Sequence, residues 1–302
     1  VIATDYDYLR RFLRERSGLV LSADKEYLVE SRLLPVARRA GLASVSELVH
    51  RLWGANSESL AQQVVEAMTT NETFFFRDKI PFEHFRDVII PRLLAARTWR
   101  RRLRIWCAAA SSGQEPYSLA ISIKEMGDHL AGWRIEIVAT DLSVEVLEKA
   151  RSGLYSQFEV QRGLPIGLLL KYFTQIGDSW QIARAIRAMV DFRPLNLLGD
   201  FGQLGTFDAV FCRNVLIYFD QVTKIRVLER LARAMEQDAF LVLGAAETVV
   251  GLTDRFQPIA EHRGLYAPNR SALEAISSKV GLKPVEFGVK QRPALRVVAG
   301  AK

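Results

Sequence analysis

The stretch Leu103–Asp141 constrains the fold of this chain more than any other. Leu103-Arg104-Ile105-Trp106-Cys107 is a short apolar run bounded by charge, the pattern of a buried strand. It gives way to Ala108-Ala109-Ala110-Ser111-Ser112-Gly113, all small residues. Gln114-Glu115-Pro116-Tyr117-Ser118 then opens a helix, and Pro116 suits a first turn, where a missing N–H costs little. A second apolar strand, Arg134–Thr140, ends in Asp141. Strand, small-residue turn, helix and an acid at the tip of the next strand form the layout of a nucleotide-binding βαβ unit. There the backbone approaches the ligand and the carboxylate accepts from ribose hydroxyls.

Only Gly113 in that turn is glycine, so the three-glycine dinucleotide fingerprint is absent. A diphosphate asks for a glycine-lined helix N-terminus; a ligand without phosphates does not. S-adenosylmethionine fits better, with Asp141 taking the ribose and Glu115 facing the cationic end. The alternative is an ordinary α/β core in which Asp141 caps the following helix, 143–151.

With 302 residues, 49% of them hydrophobic, the chain can bury a large core and is expected to form two domains. No run approaches the ~20 apolar residues of a membrane span, and no signal-peptide pattern stands at the N-terminus. Cys107 and Cys212 both fall in expected strands, as small core hydrophobes rather than a disulfide or a nucleophile. The histidines are scattered without ligand spacing, so no metal site is expected. A cytoplasmic protein of a reducing compartment is the resulting expectation.

The formal net charge is +7, and residues 79–104 and 268–302 carry most of the surplus. Nucleic-acid binding is one reading of it. Attraction to an acidic protein surface, or simply a solvated basic face or linker, are others.

The first seventy residues read as helical. Tyr6, Leu9, Phe12 and Leu13 share a face before Ser17-Gly18; a second helix covers about 25–39; Ser44-Val45-Ser46-Glu47 matches a capping box; a fourth helix spans 57–68. From Leu103 strands (103–107, 134–140, 207–212, 239–244) alternate with helices (114–127, 143–151, 221–235), which predicts a parallel doubly wound sheet. Tyr172–Ile176 and Ser179–Ile182 flank Gly177-Asp178 as a hairpin, and 256–260 with 264–267 predict a second hairpin at the sheet edge.

Two further segments complete a pattern. Thr69-Thr70-Asn71-Glu72-Thr73-Phe74-Phe75-Phe76-Arg77-Asp78 is a polar and aromatic cluster at the domain junction. Phe207-Asp208-Ala209-Val210-Phe211-Cys212-Arg213-Asn214-Val215-Leu216-Ile217-Tyr218 is a strand ending in Arg-Asn and then Tyr. With Ser111–Ser118 and Ala139-Thr140-Asp141, these motifs resemble the chemotaxis-receptor glutamate O-methyltransferases, the CheR family, over roughly residues 5–267. Gln114 departs from the second glutamate of many members; it keeps hydrogen bonding and drops one charge.

The resemblance implies an α/β fold: a Rossmann-like S-adenosylmethionine-dependent methyltransferase domain with an inserted antiparallel β-subdomain, preceded by a small all-α domain. The boundaries expected are 1–68 for the helical, receptor-recognising domain and 69–102 for the junction and linker helix. The methyltransferase domain would span 103–267 (insert about 154–192), with a basic tail at 268–302. Asn71, Thr73 and Arg77 would line the cofactor pocket, and Glu115 would meet the donor's amino-acid portion. Asp141 would meet the ribose, and Asn196 and Leu197 would flank the adenine. Arg213 and Asn214 would end the fourth sheet strand, and Arg77 and Tyr218 would serve catalysis. For Arg77 a surface pair with Asp78, and for Tyr218 a core-filling role, are the plain alternatives.

The implied partners are cytoplasmic helices of methyl-accepting chemotaxis receptors, met by a monomer without nucleic acid or membrane insertion. Docking is expected on a basic stripe including Arg32, Arg38 and Arg39. The donor would be S-adenosylmethionine and its product S-adenosylhomocysteine. Some members grip a receptor C-terminal peptide with a longer, glycine-rich hairpin loop; the short Gly177-Asp178-Ser179 turn predicts that this chain does not. The rival classes are a nucleic-acid methyltransferase and a non-catalytic S-adenosylmethionine-binding regulator. Against the first, Cys212-Arg213-Asn214-Val215 is not the Asn/Asp-Pro-Pro-aromatic loop of exocyclic-amine methylation.

Overall fold

The structure, a computed structural model, describes residues 2–54 and 57–269; the expected basic tail lies outside the described residues from 270 onward. Helix α1 (Ala3–Ser17) buries Tyr6, Leu9 and Leu13 and stops where Gly18 takes a left-handed φ of 77°, a conformation that costs glycine little. Then come α2 (Glu26–Arg39), α3 (Val45–Leu52) and α4 (Glu58–Met68), whose apolar stripes close on one core around Leu33, Leu48 and Val64. Ser44 Oγ accepts the Glu47 N–H at 3.1 Å, but the Glu47 carboxylate accepts from Ala43 rather than Ser44. The expected capping box therefore closes one residue upstream.

Arg32 departs from the expected exposed stripe. It is half-buried and donates to the carbonyls of Met68 and Thr69 at 2.8 and 2.9 Å and to Thr70 Oγ1 at 3.2 Å. The last carbonyls of α4 lack intrahelical partners, and a guanidinium fork satisfies two of them at once. Arg38 and Arg39 are exposed.

Helix α5 (Ile80–His84), a π-helical turn (Phe85–Ile89) and α6 (Ile90–Ala96) lead into the sheet domain. There β1 (Arg102–Ala108), α7 (Gln114–Glu125), β2 (Arg134–Asp141) and α8 (Val144–Ser152) form the expected βαβ unit. The insert follows: β3 (Leu154–Ser156), α9 (Gln157–Gln161), α10 (Ile166–Tyr172), β4 (Phe173–Ile176), β5 (Ser179–Ile182) and α11 (Arg184–Arg187). Its three strands pair antiparallel in the order β3-β5-β4. The chain then returns to the main sheet through β6 (Val190–Pro194), β7 (Phe207–Cys212), α12 (Gln221–Arg233), β8 (Met235–Leu243), β9 (Phe256–Pro258) and β10 (Leu265–Pro268).

The main sheet runs β6-β2-β1-β7-β8-β10-β9, parallel from β6 through β8 and antiparallel at β10 and β9. Two boundaries differ from expectation. The insert does not reach residue 192, because Val190–Pro194 pairs in parallel with β2. Asp191 and Arg193 give this edge strand a half-exposed, polar pattern that a buried-strand reading passes over. Strand β8 also begins at Met235, four positions before the apolar run that signals it.

Both faces of the sheet are covered, so its central strands are apolar throughout. Ile105, Cys107, Ile137 and Phe211 pack with α5–α8 on one face; Trp106, Val138, Val210 and Cys212 pack with α12 on the other. The indole N–H of Trp106, fully buried, donates to Thr140 Oγ1 at 2.9 Å.

Most of the basic run Arg97–Arg104 is paired with acids rather than free, although Arg101 is exposed. Arg97 and Arg100 both donate to Asp208, a residue 1% exposed, at 2.9 and 2.5 Å. Arg97 also pairs with Asp238, and Arg102 and Arg104 with Glu136. Hydrogen bonding to Asp238 raises the pKa of the Arg97 guanidinium further still. These four arginines neutralise acids near the starts of β7, β8 and β2, so most of this cluster's charge is spent within the fold.

Candidate functional site

The order of the sheet reverses between β1 and β7, and the crevice beyond the carboxyl ends of the strands at such a switch point is where α/β folds bind ligands. The turn after β1 is tight: Ala109, Ser111 and Gly113 all have positive φ (62°, 51° and 93°). At Gly113 a Cβ would stand 2.9 Å from the Ala150 Cβ, so this glycine serves the close approach of α8. The turn brings the Ser111 N–H within 2.8 Å of Asp141 Oδ2, and the Ser143 N–H donates to Oδ1 at 3.0 Å. Burial pushes the Asp141 carboxyl up, against the pull of these N–H bonds. Ser143, not Asp141, caps α8, its Oγ accepting from Val146.

At the end of β7, Arg213 has a side chain only 2% exposed. Its Nη1 donates to Glu115 Oε2 at 2.6 Å, and its Nη2 to Asp78 at 2.8 Å and to the Arg77 carbonyl at 2.9 Å. Burial raises the Glu115 carboxyl, and Arg213 and then Arg77 act against it. Asp78 thus pairs with Arg213, and Arg77 instead donates to the Glu72 carbonyl at 2.7 Å.

Asn214 then turns left-handed, φ 57°, held by a residue the sequence did not single out. The Glu247 carboxylate accepts four backbone N–H groups, from Gly244, Asn214, Val215 and Leu216, at 2.7–2.9 Å. A lone glutamate after a strand, in Gly244-Ala245-Ala246-Glu247, carries little signal; only its long-range partners reveal it.

The junction segment is clamped rather than free. Phe75 is fully buried against Tyr155 and Phe173 of the insert, ring centroids 5.0 and 5.5 Å away. A Cβ on Gly163 would meet the Phe75 carbonyl oxygen at 2.1 Å, which leaves only glycine there. The Phe76 N–H donates to Ser118 Oγ at 2.9 Å, and Phe76, Asp78 and Lys79 all hold positive φ.

The helical domain supplies a wall. Asn196 Nδ2 donates to the Arg16 carbonyl at 2.6 Å, and the Val20 N–H to the Tyr218 carbonyl at 3.0 Å. Gly18 lies so close to Phe219 that a Cβ would be 2.9 Å from its ring. Ser17 and Leu19, which belong to none of the motifs, consequently line the same cavity as the junction, the β1 turn and the end of β7.

That cavity is a concave cleft open to solvent at its mouth, the form in which small molecules are bound. Asn71, Thr73, Arg77, Glu115, Asp141, Asn196, Leu197, Arg213, Asn214 and Tyr218 all border it. Residues 71–265 match the family described as CheR methyltransferase, SAM binding domain, and residues 4–69 match the CheR methyltransferase all-alpha domain.

The chain belongs to the CheR methyltransferase family. It is 44% identical to Chemotaxis protein methyltransferase 1 of Pseudomonas aeruginosa over 84% of this chain and 94% of that protein. Chemotaxis protein methyltransferase Cher2 of Pseudomonas putida is 42% identical over the same shares, 84% and 94%. The Escherichia coli chemotaxis protein methyltransferase is 35% identical over 82% of this chain and 85% of its own length. The methyl donor of the family, S-adenosylmethionine, suits the cavity. A buried acid stands at the tip of β2 for hydroxyls, and a second acid, Glu115, stands at the start of α7 for a cation. Apolar Leu19, Leu142 and Leu197 offer surface for an adenine ring. No helix among the described residues is long and apolar enough to cross a membrane.

Proposed function

We propose that this CheR-family chain transfers the methyl group of S-adenosylmethionine to glutamate side chains of chemotaxis receptors in the cytoplasm, forming glutamyl methyl esters. One observation carries the reading: every acid that borders the cavity is already committed. Glu115 is paired with Arg213, Asp141 accepts two backbone N–H groups, and Glu72 is paired with Arg162. No histidine, cysteine or lysine borders it among the described residues. An amine or hydroxyl acceptor asks for a base to take its proton, whereas a glutamate, with a reference pKa of about 4.3, arrives ionised at neutral pH.

The bound donor supplies an electrophilic methyl group on a cationic sulfur. Asp141 accepts from its ribose hydroxyls, Glu115 faces its ammonium group, and Asn196 and Leu197 flank its adenine. Asn71 and Thr73 line the pocket wall, while Arg213 and Asn214 hold Glu115 and the loop before Tyr218. Arg77 and Tyr218 orient the acceptor carboxylate by hydrogen bonds without giving it a proton. Alignment of this kind is worth up to about 7–11 kcal/mol in well-oriented systems.

The test is incubation with methyl-labelled S-adenosylmethionine and receptor cytoplasmic fragments. The expected result is label released as methanol by mild alkali. Alkali-stable label on the protein, or label on RNA instead, would contradict the reading.

A further inference from the structure

Arg162 lies in the loop of the insert between α9 and α10, with 40% of its side chain exposed, and does not border the cavity. It nevertheless holds two residues of the junction segment. Its Nη2 donates to Glu72 Oε1 at 2.6 Å, and its guanidinium lies 4.4 Å from the centre of the Phe74 ring. Beside it, a Cβ on Gly163 would stand 2.1 Å from the Phe75 carbonyl oxygen and 2.9 Å from the Phe74 ring. The insert loop is therefore pressed onto the junction segment, and Arg162 is carried with it.

Arg77 is held by the same two residues. Its Nη1 donates to the Glu72 carbonyl at 2.7 Å, and its guanidinium lies 5.6 Å from the centre of the Phe74 ring. Both partners are uncharged, a peptide oxygen and a ring. An arginine held in this way keeps its charge, and most of its N–H donors, for an anion entering the cavity. The Glu72 carboxylate borders that cavity too and is a competing anion. Arg162 holds the Glu72 carboxyl below its usual range, by hydrogen bonding first, and Arg77 pulls on it more weakly, through charge alone.

We propose that Arg162 is a positioning residue for methyl transfer: by pairing with Glu72 it keeps that carboxylate from capturing Arg77, which stays available to the acceptor. The proposal rests on the role in aligning the acceptor carboxylate given to Arg77 above. Without Arg162, Glu72 and the acceptor are two anions competing for one guanidinium, and a rotation of the flexible Glu72 side chain satisfies the wrong one. The competing pair is exposed to solvent, so its effect is modest. The same exposure lets Arg162 be replaced without opening the core.

The experiment measures methyl transfer to a receptor cytoplasmic fragment by the full chain, with fragment and S-adenosylmethionine both saturating. Arg162→Ala should lower kcat about fivefold, with Tm and the affinity for S-adenosylhomocysteine unchanged. Arg162→Lys keeps the charge and should stay within about twofold of the wild type. The deciding variant is Arg162→Ala/Glu72→Gln, in which the competing charge is gone: its kcat should return to that of Glu72→Gln alone. If the pair served only to hold the loop, it would be just as absent from the double variant, and no recovery would follow. Normal kcat in Arg162→Ala, or a loss that Glu72→Gln does not relieve, overturns the proposal and leaves the role of Arg77 standing. Normal turnover by Arg77→Ala, or wild-type label that resists alkali, removes that role, and the proposal falls with it.

Discussion

Arg213 and Glu115, both buried, meet at 2.6 Å and tie the end of β7 to the first turn of α7. The same guanidinium reaches Asp78 in the junction segment, so one side chain fixes three separate pieces of the cavity wall. A pair this deeply desolvated is costly to break from one side, because the remaining charge is left unpaired.

Arg213→Ala should therefore destabilise the fold by about 3–5 kcal/mol. Glu115→Gln in the same background should recover part of that loss by removing the stranded carboxylate. Urea unfolding of the two single variants and the double checks this, and additive losses would contradict a direct coupling.

Asp141→Ala should lower affinity for S-adenosylmethionine roughly tenfold to a hundredfold, from the loss of charge-assisted hydrogen bonds of about 1.5–3 kcal/mol each. It also strands the Ser111 and Ser143 N–H groups, so a drop in stability should accompany it. Asp141→Asn keeps one acceptor oxygen and should fall between the two proteins. Calorimetry giving wild-type affinity for folded Asp141→Ala would remove the ribose assignment.

Arg77→Ala should leave the fold intact, since among the described residues its guanidinium meets only neighbours in the junction segment, the Glu72 carbonyl and the Phe74 ring, and should lose most methyl transfer. Arg77→Lys should restore only part, lacking the planar fork. Normal turnover by Arg77→Ala at saturating receptor fragment would contradict its role in aligning the acceptor.

Much of this arrangement is legible in the chain. The βαβ unit follows from apolar runs around a small-residue turn, and α1 ends at Gly18 as its glycine requires. Other parts are not, for physical reasons. β6 is an edge strand whose Asp191 and Arg193 face outward, so it lacks the apolar run that marks a buried strand. Arg32 reads as surface charge until the open carbonyls of α4 come within reach. The Arg97–Arg104 run reads as a partner-binding patch until Asp208, Glu136 and Asp238 arrive from other strands. Glu247, with four N–H donors from two loops, is visible only once β7 and β8 pair.

His84 supplies a pH dependence. Burial and then the ring of His262, 5.0 Å away, lower its pKa from the usual 6.5. The unfolded chain then holds more protons than the folded one below pH 6.5. Stability should be level above that value, fall as pH drops toward the lowered folded pKa, and level again below it. Urea midpoints across this range should show a shallower fall in His84→Asn; an equal slope would assign the acid sensitivity elsewhere.

The β4–β5 turn bears on how receptors are reached. Only Gly177 and Asp178 separate the strands, and nothing lies within 4 Å of a Cβ on Gly177. So short a loop offers little backbone to add a peptide as a further strand. Receptors with and without their C-terminal peptide should be methylated at the same rate. Micromolar binding of that peptide, abolished by changing Gly177, would show a tether after all.

The central claim is tested most directly by locating the methyl group itself. A receptor cytoplasmic fragment treated with this protein and S-adenosylmethionine is digested and read by tandem mass spectrometry. The account predicts one added methyl on glutamate side chains, removed by alkali and absent when those glutamates are replaced by glutamine. A methyl group found on lysine, arginine or nucleic acid, with the glutamates untouched, would contradict it.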